Sequence, residues 1–189
     1  MAGKVAASDD DPLPRVGAAA PLIVTAELPA LLQTRADALR RAHYPPERNQ
    51  LAAHVTLFHA LPPFAESEAR SLLAALAAET APPPALLAAI MDLGTGTALR
   101  IDSAAMLAVR TQIAERFHGL LTLQDQPAPR LHVTLQNKVP RAEAKALQSA
   151  LAASFHPESF TFSAIALHRY RGGPWEPVGR WTFRGRARR

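Results

Sequence analysis

Two copies of one tetrapeptide, His54-Val55-Thr56-Leu57 and His132-Val133-Thr134-Leu135, stand with their histidines 78 positions apart and carry residue types suited to proton transfer. Side chains of a strand alternate between its two faces, so each copy sends His and Thr one way and Val and Leu the other. Each copy therefore offers an imidazole beside a hydroxyl. The unperturbed histidine pKa of about 6.5 lets an imidazole take a proton, and an imidazolium give one, near neutral pH. A pair can thus supply a general base and a general acid to one reaction. With 7 His and 11 Thr in 189 residues, roughly 0.4 His-x-Thr triplets are expected by chance. One would mean little, but two within an identical HVTL point to a site rather than to a pair of ordinary half-buried strands.

At these residues the chain resembles the two-histidine (2H) phosphoesterase superfamily, defined by paired His-x-Thr-x motifs, one in each of two similar lobes. Within it, the chain is similar to the bacterial RNA 2′,3′-cyclic phosphodiesterases, also called 2′-5′ RNA ligases. The resemblance covers about residues 20 to 183, and the closing stretch Tyr170 to Phe183 (YRGGPWEPVGRWTF) is similar to the family's last hairpin. It implies an α+β fold of two similar β/α lobes facing each other across a central cleft. It also implies a substrate with a 2′,3′-cyclic phosphate or a 2′-5′ linkage, at an RNA 3′ end or in a small cyclic nucleotide. Water would attack phosphorus and the 3′ oxygen would leave, giving a 2′-phosphate; an RNA hydroxyl in place of water would give ligation. His54 and His132 would be base and acid, in an order that the near-identical motifs leave open. Thr56 and Thr134 would donate hydrogen bonds to the non-bridging oxygens, where charge builds up in the transition state. This scheme needs no metal or other cofactor.

A single-stranded nucleotide is held by aromatic faces and phosphate contacts. By strand parity Phe58 shares the face of His54, and Gln136 and Lys138 share that of His132 if the strand stays regular that far. Tyr170, Arg171 and Trp175 are candidates from the closing stretch, with Arg130 and Arg169 as further cations. Phe58 and Gln136 stand where the family often continues with hydroxyl or basic residues. His59 falls on the opposite face from His54, and His43, His118 and His156 are assigned no role. His168 shares a strand face with Tyr170. Two rivals stand beside the phosphodiesterase reading. The motifs could serve a nucleotide- or RNA-binding module without turnover. A metal hydrolase on His54, His59 and His132 is opposed by the parity of His59, and no carboxylate sits at ligand spacing beside either motif. Other cyclic phosphodiesters, such as an ADP-ribose cyclic phosphate or a 2′-5′ oligonucleotide, remain open substrates.

The elements that must position the motifs fit one domain in two lobes, since 189 residues are few for two independent cores. No stretch approaches the roughly 18 uninterrupted apolar residues of a membrane span and the start is unlike a secretory signal, so a cytoplasmic site is expected; the chain is also expected to be a monomer. The absence of cysteine excludes disulfides, thiolate zinc sites and cysteine nucleophiles. The net charge of +5 comes from the end of the chain, where residues 180 to 189 hold five arginines and no acid. Residues 1–19 read as a disordered leader, 20–183 as the bilobal domain and 184–189 as a basic tail.

Within the domain, Leu22 to Glu27 reads as a strand and Ala30 to His43 as a helix with Leu32, Ala36 and Leu39 inward. The first motif strand is expected over Ala52 to Leu61, and a helix over Glu66 to Glu79. Leu86 to Leu93 and Thr97 to Ile101 flank Gly94-Thr95-Gly96 as a hairpin; this GxG has neither the third glycine nor the Lys-Ser/Thr of a phosphate loop. Ser103 should cap a helix to His118, and the second motif strand should span Arg130 to Val139. A helix from Pro140 to Phe155 and strands over Phe160 to Tyr170 and Gly179 to Phe183 complete the chain.

Overall fold

The computed structural model describes residues 20–186, so the expected leader lies outside the described residues. The elements are β1 (Leu22–Glu27), α1 (Ala30–His43), β2 (Val55–Leu61), α2 (Glu66–Glu79), β3 (Pro84–Asp92), β4 (Thr97–Asp102), α3 (Ala104–Arg116), β5 (His132–Gln136), α4 (Arg141–Ala152), β6 (Glu158–Thr161), β7 (Ala164–Arg169) and β8 (Glu176–Thr182). A β-α-β-α unit occurs twice, as β1-α1-β2-α2 and as β4-α3-β5-α4, and each copy carries one HVTL at the start of its second strand, His54 standing just before β2.

The strands form two antiparallel sheets, ordered β2-β1-β7-β8 and β5-β4-β3-β6. Both motif strands are thus terminal strands, and they lie against each other where the lobes meet. This is the expected α+β arrangement of two lobes. One large buried core cluster runs through both, from Leu22, Val55 and Leu73 in one to Ile101, Ile113 and Leu135 in the other, with a small second cluster of Met91, Leu93 and Ala98 beside it. The lobes are therefore parts of one folding unit. No helix among the described residues is long and apolar enough to cross a membrane.

Several local features have direct causes. Ser103 caps α3 by accepting from the Met106 N–H at 3.1 Å while its hydroxyl donates to Pro84 O at 2.7 Å. The Gly94-Thr95-Gly96 segment is a hairpin turn, with Gly94 at φ 84°. A Cβ on Gly96 would come within 2.3 Å of Gln136 O, so glycine is needed there for the turn to approach the end of β5. The strand expected over Phe160 to Tyr170 is two strands in different sheets. The chain crosses between the lobes at Phe162 and Ser163, whose N–H groups donate to Pro83 O and Glu27 O at 3.0 Å each. Past Phe183 the chain stays docked, with Arg184 N and Gly185 N donating to Ala77 O and Thr80 O at the end of α2.

The inward stripes of α1 and α3 each include an arginine: Leu32, Ala36 and Arg40 in one, Met106, Arg110 and Ile113 in the other. Each reaches the other lobe's motif strand. Arg40 Nη1 donates to Thr134 O on β5 at 2.6 Å, and its guanidinium covers the Tyr44 ring at 4.4 Å. Arg110 lies over the Phe58 ring of β2 at 4.6 Å and donates to the carbonyls of Asp125 and Pro127. Burial depresses the Arg110 pKa, and the charge of Asp125 opposes that effect.

Candidate active site

Each motif histidine is oriented in the same way. His54 Nδ1 lies 2.7 Å from Ala52 O, and His132 Nδ1 lies 2.7 Å from Arg130 O, in both cases the carbonyl two residues back. A carbonyl only accepts, so in the neutral ring Nδ1 carries the proton and Nε2 keeps its lone pair. Both Nε2 atoms are buried. β2 starts at Val55, three residues later than expected, because the Ala53 N–H and carbonyl are taken by side chains of α1, Asp37 Oδ1 at 2.6 Å and Gln33 Nε2 at 2.7 Å.

The threonines lie inside the interface. Thr134 is buried on β5, and Thr56 is 7% exposed, its Oγ1 buried with no hydrogen-bond partner. Such an orphaned hydroxyl costs stability and marks a group available to a ligand. Thr56→Val, which keeps the shape and removes the hydroxyl, is therefore expected to leave stability unchanged or raise it by up to about 1 kcal/mol while lowering turnover about tenfold. Urea melts beside a turnover assay check this; a loss of stability would mean that the hydroxyl is already satisfied.

Around His54 the structure gathers residues that sequence reasoning did not join. The Trp175 ring lies 4.8 Å from the His54 ring and 5.5 Å from that of His168. His168 Nε2 is 3.0 Å from Thr25 Oγ1. Burial, and next the charge of His54, lower the His168 pKa to about 4, so His168 is neutral near neutral pH. Thr25, Asp37, His54, His168, Trp175 and Arg180 help line a cavity of about 590 Å³. The shared face of His168 and Tyr170 was the only sequence signal for His168. For Thr25, Gln33 and Asp37 no motif pointed to the site.

Other candidates fall elsewhere. Phe58 is 0% exposed and its face is covered by Arg110, so it is a core residue with no surface to stack a base. Gln136 is 1% exposed, accepts from Thr97 Oγ1 at 3.4 Å and donates to Glu143 at 2.9 Å. Both strand-parity expectations fail because each motif strand carries a register shift just past its threonine: Thr56 pairs with Thr25 but Phe58 with Val24, and Thr134 pairs with Ala98 but Gln136 with Thr97, so the alternation is broken. Lys138 leaves its strand altogether: β5 ends at Gln136, and Lys138 has φ 55°, its N–H bound to Asn137 Oδ1 at 2.8 Å. It lines a different cavity with Arg41, His43 and Glu143. Arg171 is exposed and paired with Glu176 at 2.5 Å, and Arg169 is paired with Glu66 and Glu176. Tyr170 is half-buried beyond the end of β7, its N–H bound to Pro21 O at 3.0 Å. Arg130 is exposed and meets His132 through its carbonyl. The His59 ring is engaged by the other lobe, its Nδ1 2.9 Å from Asp125 Oδ1.

Two lobes of antiparallel sheet and helix, meeting along paired His-x-Thr strands, define a 2H-type phosphoesterase fold. The family model of the 2′-5′ RNA ligase superfamily matches residues 28–174, and the chain belongs to that superfamily. Among solved structures, TT0787 of Thermus thermophilus is similar at 15% identity and TM-score 0.60, over 88% of this chain and 100% of that one. E. coli LigT is similar in its complex with 3′-AMP, at 17% identity and TM-score 0.53 over 87% and 98% of the two chains. Its complex with NADP+ gives 17% identity and TM-score 0.55 over 88% and 99%. Among curated proteins, none matches the chain in sequence.

Proposed function

We propose that the protein is a phosphodiesterase that opens 2′,3′-cyclic phosphates, at RNA 3′ ends or in small cyclic nucleotides, to 2′-phosphates by two-histidine general acid/base catalysis. The observation that carries this reading is the equivalent setting of His54 and His132, each with Nδ1 engaged by a carbonyl at 2.7 Å and Nε2 as the atom for proton transfer, on strands that lie against each other. A neutral imidazole takes the proton of the attacking water as its oxygen bonds to phosphorus. The other, as imidazolium, protonates the 3′ oxygen as its bond to phosphorus breaks. The two rings end with their protonation states exchanged and reset through solvent. The Thr56 and Thr134 hydroxyls donate to the non-bridging oxygens. An RNA hydroxyl in place of water makes a 2′-5′ linkage by the same two proton transfers, its oxygen bonding to phosphorus as the 3′ oxygen is protonated and leaves. Because two proton-transfer groups suffice, the scheme is metal-independent.

The cavity beside His54 supports a nucleoside attached to the phosphate, with Trp175 as its aromatic wall. That a LigT structure contains 3′-AMP fits a nucleotide of this size. The test is hydrolysis of a short RNA ending in a 2′,3′-cyclic phosphate, in excess EDTA. A 2′-phosphate end is expected. Nucleotide binding without product would replace this reading by that of a binding module, and activity abolished by EDTA would overturn the metal-independent scheme.

A further inference from the structure

Both backbone groups of Ala53, the residue before His54, are bound by side chains of α1. The N–H donates to Asp37 Oδ1 at 2.6 Å, and the carbonyl accepts from Gln33 Nε2 at 2.7 Å. The same Gln33 amide donates to Asp37 Oδ2 at 3.0 Å, which closes a ring of hydrogen bonds around the residue. The peptide between Ala52 and Ala53 belongs to that ring by its nitrogen and to the candidate site by its oxygen, which accepts from His54 Nδ1 at 2.7 Å. His54, one peptide group and the Asp37 carboxylate thus form a continuous chain of two hydrogen bonds.

Hydrogen bonds joined through an amide polarise each other: an anion accepting the N–H makes the carbonyl of the same peptide a stronger acceptor. A stronger acceptor at Nδ1, with a negative charge behind it, favours the imidazolium form and makes Nε2 more basic. The second motif is held differently. His132 has the same contact with Arg130 O, but the carbonyl of Leu131, the counterpart of the Ala53 carbonyl that Gln33 binds, accepts from Ile101 N of β4 at 2.8 Å, so a strand and not a helix side chain holds this turn. The other charged and titratable groups around the His54 cavity are His168 on β7, kept neutral near neutral pH by burial and by the charge of His54, and Glu27 on β1, paired with Arg180 on β8 at 2.8 Å.

We propose that Asp37, assisted by Gln33, is a positioning residue that acts on His54 through the Ala52–Ala53 peptide, holding the Nδ1–H tautomer and raising the basicity of Nε2. The two histidines of a repeated motif are thereby made unequal. This rests on the reading of His54 as a proton-transfer group.

The experiment is an NMR titration of the ring nitrogens in wild type, Asp37→Asn and Asp37→Ala, with kcat and KM measured beside it. Asparagine keeps an acceptor oxygen for Ala53 N and removes the charge. Asp37→Asn is expected to lower the His54 pKa by about 0.5 to 1 unit, to leave His132 unmoved, and to reduce kcat about 3- to 10-fold at constant KM. Asp37→Ala also frees the turn, and should lose the Nδ1–H preference as well. Gln33→Ala, which leaves the carboxylate in place, is a second variant and should lower kcat about 2- to 5-fold by loosening the same turn. An Asp37→Asn protein in which His54 titrates as in wild type, or in which both histidines shift equally, overturns the proposal. The titration needs no substrate, so a wild type without turnover would defeat the phosphodiesterase reading and still leave the titration to decide this one.

Discussion

Replacement of either motif histidine by alanine is expected to lower turnover of a 2′,3′-cyclic phosphate by about 10² to 10⁴, or roughly 3 to 5 kcal/mol of barrier. Each ring supplies one of two proton transfers in a single displacement, so the second removal should add little to the first. The double variant His54→Ala/His132→Ala is therefore expected to fall near the worse single one. Both histidines are half-exposed at the site, so the variants should melt close to wild type. Thr134→Ala should cost less than either, because it removes a hydrogen bond to a charged oxygen and no proton. Wild-type kcat/KM should follow a bell in pH, with one imidazole required neutral and the other protonated. Turnover of His54→Ala within tenfold of wild type, or a flat profile from about pH 5 to 9, would rule out the two-histidine scheme.

Asp125→Ala is expected to destabilise the protein by about 3 to 5 kcal/mol, through the joint between the lobes instead of through chemistry. Asp125 is 2% exposed, and its carboxylate accepts from the N–H groups of His59 and Ala60 and from the His59 ring, all at 2.9 Å. Alanine would leave two buried N–H groups of β2 without an acceptor and the buried Arg110 without a nearby anion. Burial by itself raises the Asp125 pKa. The His59 side chain and the His59 and Ala60 backbone outweigh that and hold it below its ordinary value of 3.8. A carboxyl with a depressed folded pKa contributes fully above its unfolded pKa, and that contribution is lost as pH falls through the folded one. The gap between wild type and Asp125→Ala should thus be widest near neutral pH and narrow below 3.8. Urea melts of both proteins at neutral pH and near pH 3 measure it. Equal stability at neutral pH would mean that the lobes are held together without this contact.

Much of this protein is readable along the chain. The duplicated HVTL, the boundaries of α1 and α2, the Ser103 cap and the glycine turn between β3 and β4 all follow from local rules: hydrophobic spacing, a capping hydroxyl, and glycine where a side chain has no room. The fold class and the choice of the two histidines as candidates were accessible for the same reason, since a repeated motif is itself a local pattern. The surroundings of the histidines were not. Strand parity assumes an unbroken alternation, whereas β2 and β5 each take a register shift just past the motif threonine, which made buried residues of Phe58 and Gln136. Lys138 was lost because β5 ends at Gln136 and Lys138 itself takes a left-handed conformation, a feature with no sequence marker when the residue is not glycine. His168 and Trp175 come to His54 from more than a hundred positions away, because β7 pairs with β1. Asp37 reaches it because a loop of irregular backbone lends its peptide groups to a helix side chain. Local sequence determined which groups can move protons; contacts between distant segments, whose partners no spacing rule encodes, decided what surrounds each of them.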